Sequence, residues 1–201
     1  MNANIRRALE RLNAASKLEN SRAVRVPAGE LMSAITWETG EFFNIMLRAM
    51  GARSALEIGM STGFSTIWLA EAVMETGGRV TTIEMDDKKI RRASDNFEDA
   101  GVRDIIDIAQ GRALDVLEDL RGSSPVYDFV LIDADKENVP RYFDMVLPMV
   151  RKGGIIATDN MLYPERFSDM MGEFGRLVRQ NASVRTVTLP IGNGEEITVK
   201  L

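Results

Sequence analysis

Two short segments carry the side chains best suited to chemistry. Asp133-Ala134-Asp135-Lys136 follows the apolar run Phe129–Ile132, and Asp159-Asn160 follows the apolar run Ile155–Thr158. Each run predicts a buried strand. In an open α/β sheet, ligands sit outside the carboxyl ends of the strands. If these two strands are neighbours, Asp133, Asp159 and Asn160 converge. Two carboxylates and an amide are hard oxygen donors, suited to Mg2+ or Ca2+ and poorly suited to zinc. Asp and Asn at strand ends also cap helices and form turns, and Lys136 also fits an ordinary surface position. The three residues together, with a lysine three positions after the first, favour a site. The chain has no histidine and no cysteine, so the commonest general base, the commonest zinc ligand and any thiolate are missing. Acid–base or metal chemistry falls to carboxylates, amides, hydroxyls and lysine.

A second candidate lies in A-L-E-I-G-M-S-T-G-F-S-T-I-W-L, residues 55–69. It begins as a buried strand, turns through Gly59 and Gly63, and becomes a helix. The glycines permit a tight turn and close approach of a ligand to bare backbone. Ser65 is expected to cap the helix, whose N-terminus offers free N–H groups. The next strand ends in V-T-T-I-E, and its Glu84 stands where a carboxylate takes ribose hydroxyls in nucleotide-binding α/β folds. The glycine spacing is G-x-x-x-G, which is not the dinucleotide fingerprint G-x-G-x-x-G. The glycines alone also fit a plain strand-to-helix turn.

The elements that must position these residues alternate from Ser54 onward. Strands are expected at 55–58, 80–83, 105–109, 129–132, 155–158, 184–189 and 197–201. Helices are expected at 65–75, 87–100, 113–120, 139–150 and 166–181. Alternation predicts an α/β fold: a seven-stranded, mostly parallel sheet with helices on both faces. A turn at Ile191-Gly192-Asn193-Gly194 closes a hairpin and makes the last strand antiparallel. Ahead of this core, residues 4–19 carry a helical apolar stripe, Ser21–Gly29 reads as a connection, and Glu30–Met50 reads as a second helical region. Residues 1–50 are expected to form an N-terminal cap on a core of 51–201, within a single domain over 1–201.

The composition sets bounds. At 201 residues, 45% hydrophobic and 27% charged, the chain can bury a sizeable core. Its apolar runs are far below membrane-spanning length, and Ile5–Asn20 is charged and periodic rather than signal-like. No membrane association is expected, and a cytoplasmic location fits. The net charge of −5 argues against a broad nucleic-acid face. Residues 1–26 are a local exception, with Arg6, Arg7, Arg11, Lys17, Arg22 and Arg25 against Glu10 and Glu19.

With these motifs assembled, the chain resembles the cation-dependent O-methyltransferase family, which includes catechol and caffeoyl-CoA O-methyltransferases. The similarity runs from about Ile35 to the C-terminus. It rests on L-E-I-G-M-S-T-G-F-S, V-T-T-I-E-M-D, Y-D-F-V-L-I-D-A-D-K-E-N-V-P-R-Y, G-G-I-I-A-T-D-N and L-P-I-G-N-G. The resemblance implies the Rossmann-like class I fold of S-adenosylmethionine (SAM) methyltransferases. It implies a SAM site at Glu57, Gly59, Ser61, Gly63, Ser65, Glu84, Met85, Gly111, Arg112, Ala113 and Asp133. Glu84 would bind the ribose hydroxyls, and Met85 would lie on the adenine. Asp133, Asp159 and Asn160 would hold Mg2+ or a similar divalent cation, and Lys136, beside Asp133, would be the general base. The implied acceptor is a small molecule with vicinal hydroxyls. Two alternatives remain: methylation of a hydroxylated tRNA base, and SAM binding without catalysis. The segment after Asn160 is shorter than in many relatives, which leaves the acceptor side open or completed by a second copy in a homodimer. The basic arm has no counterpart in the resemblance.

Overall fold

The computed structural model describes residues 1–27 and 29–201; Ala28, inside the expected connection, lies outside the described residues. β1 (Ser54–Ile58) is flanked by β2 (Arg79–Glu84) and β4 (Tyr127–Ile132), both parallel to it. β3 (Ile106–Gln110) pairs with β2, and β5 (Val150–Thr158) pairs with β4. β7 (Glu195–Lys200) runs antiparallel to β5 on one side and to β6 (Val184–Leu189) on the other. The order is β3-β2-β1-β4-β5-β7-β6. The fold is therefore the mostly parallel seven-stranded sheet with an antiparallel closing hairpin that strand–helix alternation predicts.

Both faces of the central strands are buried, and successive residues feed opposite cores. Ala55, Phe129, Leu131 and Ala157 face one layer, formed by α1 (Ala3–Asn20), α2 (Trp37–Ala49), α3 (Phe64–Met74) and α4 (Asp87–Ala100). Leu56, Ile58, Val130, Ile132 and Ile156 face the other, formed by α5 (Ala113–Ser123), α6 (Val139–Val146) and α7 (Ser168–Gln180). Trp68, Phe43, Phe97 and Phe129 are the largest fully buried side chains, each of a type whose truncation costs about 3–5 kcal/mol.

α1 and α2 share a core with α3, so the N-terminal segment is packed onto the sheet layer. Arg11 of the basic arm donates to Asn96 Oδ1 and to Asp99 Oδ2 on α4, both at 2.9 Å. Among the described residues no helix is long and apolar enough to cross a membrane.

Several boundaries differ from the sequence expectation. α2 begins only at Trp37, because Ser33 takes a left-handed φ of 45° and Thr36 caps the helix through the Thr39 N–H at 3.2 Å. α6 ends at Val146, and β5 starts at Val150, well before Ile155. Gly153 and Gly154 lie inside that strand rather than ahead of it. Gly154 has backbone on two sides, where a Cβ would meet the carbonyls of Arg151 and Asp128.

Candidate active site

A cavity of about 1000 Å3 opens over the carboxyl ends of β1, β2, β4 and β5. That is the upper end of the usual range for small-molecule sites. Its floor begins at Gly59, which leaves β1 with φ 101°. A Cβ there would overlap the Asp133 carbonyl oxygen, so only glycine lets the ends of β1 and β4 meet. Gly63 has φ 85° and is the N-cap of α3, with no side chain capping the helix. Ser65 therefore does not cap it; it sits in the first turn and lines a small recess with Gly59, Ser61 and Asp133. The consequence is an α3 N-terminus whose N–H groups lack a side-chain partner, a natural seat for a carboxylate.

Glu84 closes the other side of the loop. Its Oε2 accepts the Ser61 N–H at 3.0 Å, and its Oε1 accepts the Met85 and Asp86 N–H groups at 2.8 and 3.0 Å. Three backbone donors fix the carboxylate at the cavity wall. The Gly111 N–H donates to the Glu84 carbonyl at 3.0 Å, which brings Gly111, Arg112 and Ala113 to the same end of the cavity. Ser61, Glu84, Met85, Gly111, Arg112 and Ala113 thus share one wall with Gly59, whereas Gly63 and Glu57 lie behind it.

Glu57 is fully buried. Its Oε2 accepts the Thr66 and Thr82 hydroxyls at 2.5 Å each, and its Oε1 has no partner among the described residues. Burial pushes this carboxyl up to about 7 against the pull of the surrounding hydroxyls. Since the folded chain holds the proton more tightly than the unfolded one, the group removes stability as pH rises from about 4.5 through about 7. Glu57→Gln should therefore gain on the wild type between pH 5 and pH 8, by up to about 3 kcal/mol at 1.4 kcal/mol per unit. Thermal unfolding across that range checks it; a pH-independent difference between the two proteins would remove Glu57 as the cause.

The opposite wall carries the oxygen donors. Asp133 follows β4, and its N–H bonds the Ile58 carbonyl at 2.9 Å; Asp159 follows β5, and its N–H bonds the Ile132 carbonyl at 3.1 Å. These two bonds place both residues at the carboxyl ends of neighbouring strands, beside Gly59. Asn160 takes a left-handed φ of 67°, and its N–H donates to Asp159 Oδ1 at 2.7 Å. Lys136 is buried, with Nζ 3.4 Å from Asp133 Oδ1. Asp133, Asp159, Asn160 and Lys136 all line the cavity. Burial, and then the negative Asp133, pushes the Asp159 carboxyl well above the usual range.

Sequence reasoning missed the group beneath Asp159. Glu195 on β7 is fully buried, accepts the Thr39 hydroxyl at 3.1 Å, and faces the Asp159 carboxyl. Burial, followed by the charge of Asp159, pushes Glu195 up as well, since two buried carboxyls this close oppose each other's ionisation. Tyr142 was missed too, and Asp135, though part of the Asp133–Lys136 segment, was given no role; the tyrosine hydroxyl donates to Asp135 Oδ1 at 2.6 Å inside the same cavity.

The donor set suits the expected ligands. Crowded, desolvated carboxylates are relieved by a divalent cation. Among the described residues no three His, Cys, Asp or Glu side chains cluster for a metal, so such an ion would need the Asn160 amide beside Asp133 and Asp159. Glu84 and the uncapped α3 N-terminus suit a ligand that carries a diol and a carboxylate.

Comparison with known proteins follows the same line. Residues 13–201 match the family model described as O-methyltransferase. A catechol O-methyltransferase of Mycobacterium tuberculosis is 40% identical over 129 residues, covering 64% of this chain and 57% of the relative. This chain therefore spans less than two thirds of that relative's length. A caffeoyl-CoA O-methyltransferase of Eucalyptus globulus is 28% identical over 174 residues, 78% of this chain and 70% of the relative. The crystal structure of an O-methyltransferase from Bacillus cereus in complex with SAH superposes with a TM-score of 0.81 at 30% identity, covering 100% of this chain and 92% of that one. With the family model spanning nearly the whole chain, this protein belongs to the O-methyltransferase family.

Proposed function

We propose that the chain transfers a methyl group from SAM to one hydroxyl of a catechol-type small molecule, with the help of a divalent cation. The observation that carries this reading is the pairing of two walls in one cavity: Glu84 with Gly59 and Ser61 on one, and Asp133, Asp159, Asn160 and Lys136 on the other. Binding SAM alone does not call for the second wall.

In this reading Glu84 holds the ribose hydroxyls, and the backbone of the Gly59–Ser61 turn holds the methionine end. Met85 and Ala113 flank the adenine, and Arg112 borders it. Asp133, Asp159 and Asn160 would hold Mg2+ or a similar cation, whose charge would ease ionisation of a nearby hydroxyl. Lys136, as the free amine, would take up that hydroxyl proton. The oxygen forms its bond to the methyl carbon as the sulfur–methyl bond breaks, giving a methyl ether and S-adenosylhomocysteine. The chain's main contribution is to hold oxygen and methyl close and aligned. The names and bound ligands of the relatives support the reading.

Incubation with methyl-labelled SAM, a catechol panel and bulk tRNA, each with and without Mg2+, tests the acceptor class. Label in the catechols supports the proposal. Label in tRNA alone overturns the acceptor, and SAM binding without transfer to either overturns the activity. For the cofactor wall, Glu84→Ala should weaken SAM binding by about 1–3 kcal/mol, the scale of a lost hydrogen bond to a charged group. Calorimetry showing unchanged affinity would remove Glu84 from the site.

A further inference from the structure

The cavity has a third wall, which the proposed reaction does not use. Between Asn160 and α7 the chain runs along the cavity mouth and contributes Tyr163, Pro164, Arg166 and Phe167. This rim is anchored. The Met161 N–H donates to the Gly194 carbonyl at 3.0 Å, and the Leu162 and Tyr163 N–H groups donate to the Asn193 carbonyl at 2.9 and 3.0 Å. Gly194 packs so closely on Leu162 that a Cβ would overlap it. The rim is thus tied to the β6–β7 turn.

Arg166 is the unusual member of this rim. Its guanidinium lies over the Phe167 ring, 4.8 Å from the centroid, a cation–π contact that leaves its N–H donors available. Among the described residues it has no ion-pair partner. The other cations of the cavity are placed differently. Lys136 is paired with Asp133, while Lys89 and Arg112 follow Glu84–Asp86 and Gly111 at the cofactor end. The rim residues that line the cavity beside Arg166 are neutral, namely Tyr163, Pro164, Phe167 and Asn193, while Glu165, next to it in the chain, does not line the cavity. Aromatic and proline faces suit a flat ring, and a guanidinium without an ion-pair partner suits a carboxylate, which it can bind through two hydrogen bonds.

We infer that Arg166 forms a subsite for a negatively charged substituent, so that the preferred acceptor is a catechol bearing a carboxylate on its ring or on a short side chain. The inference rests on the catechol reading and narrows it. The cation wall takes the diol, the rim takes the ring, and Arg166 takes the anionic end.

The test compares 3,4-dihydroxybenzoate with its neutral amide, 3,4-dihydroxybenzamide. Binding is measured by calorimetry with Mg2+ and S-adenosylhomocysteine present, and turnover is measured with SAM. The wild type should favour the benzoate over the amide by about 10–100-fold in both Kd and kcat/KM, and in Arg166→Gln that preference should fall to about one. Arg166→Lys, which keeps the charge but not the fork, should retain part of it. SAM affinity, measured alongside, reports whether the fold is intact. A preference that survives in Arg166→Gln overturns the inference. So does a wild type that binds both catechols without distinguishing them. A wild type that neither binds nor methylates any catechol overturns the catechol reading, and the inference with it.

Discussion

Replacing Lys136 by methionine is expected to lower kcat by about 10²–10⁴-fold, the usual weight of general acid–base catalysis. The lysine is buried at the cavity wall, with its amine 3.4 Å from an Asp133 oxygen. Methionine keeps the length of the apolar stem and removes only the amine, so packing around α6 should survive. SAM affinity should stay near that of the wild type, because Glu84 and the Gly59 loop lie on the other wall. Raising the pH should recover part of the lost rate, since a hydroxyl that ionises unaided no longer needs a base. Steady-state kinetics between pH 7 and pH 9, with calorimetry for SAM, read all three effects. A normal kcat at neutral pH would leave Lys136 as a partner of Asp133 and nothing more.

Chelation should have an effect at least as large. Exhaustive EDTA treatment is expected to bring methyl transfer to background, with Mg2+ restoring it. The reason lies in the wall itself. Asp133 and Asp159 repel each other in a desolvated pocket, and the buried Glu195 adds a third acidic group behind them. A cation bound there adds stability to the folded chain in proportion to the logarithm of its concentration. Mg2+ should therefore also raise the unfolding temperature, and Asp159→Asn should blunt that response. Full catechol methylation surviving EDTA would exclude the metal from the reaction.

Much of this was legible in the chain. The pattern of apolar runs and glycines placed every strand, and β6 was read at its observed bounds, Val184–Leu189. Asp133, Lys136, Asp159 and Asn160 announced themselves by following such runs. What stayed hidden depends on contacts distant in sequence. Glu195-Glu196 reads as a polar turn end, yet both residues are fully buried. Glu195 is met by Thr39, 156 positions away, and Glu196 by the hydroxyls of Thr186 and Thr188. The only local hint was alternation backward from Ile197. Ser65 looked like a helix cap, but the left-handed Gly63 already begins the turn and carries Ser65 into the helix. The apolar residues at 31–35 looked helical, and a single left-handed serine breaks that segment and brings Ser33 and Ala34 to the cavity.

The strand order has a consequence for how the chain is made. β7 follows β6 in sequence but lies between β5 and β6 in the sheet. During synthesis, every strand up to β6 emerges before the one that joins β6 to the rest. Until residues 195–200 arrive, β5 presents an unpaired edge, and β6 has no neighbour to pair with. Such an edge is open to pairing with another chain, and closure waits on contacts far apart in sequence, which form slowly. The same late strand carries Glu195 beneath Asp159, and the turn before it anchors the rim that holds Arg166. The wall around Glu84 is therefore built wholly from residues made earlier, whereas Asp159 and the rim with Arg166 gain their support only when residues 193–195 arrive.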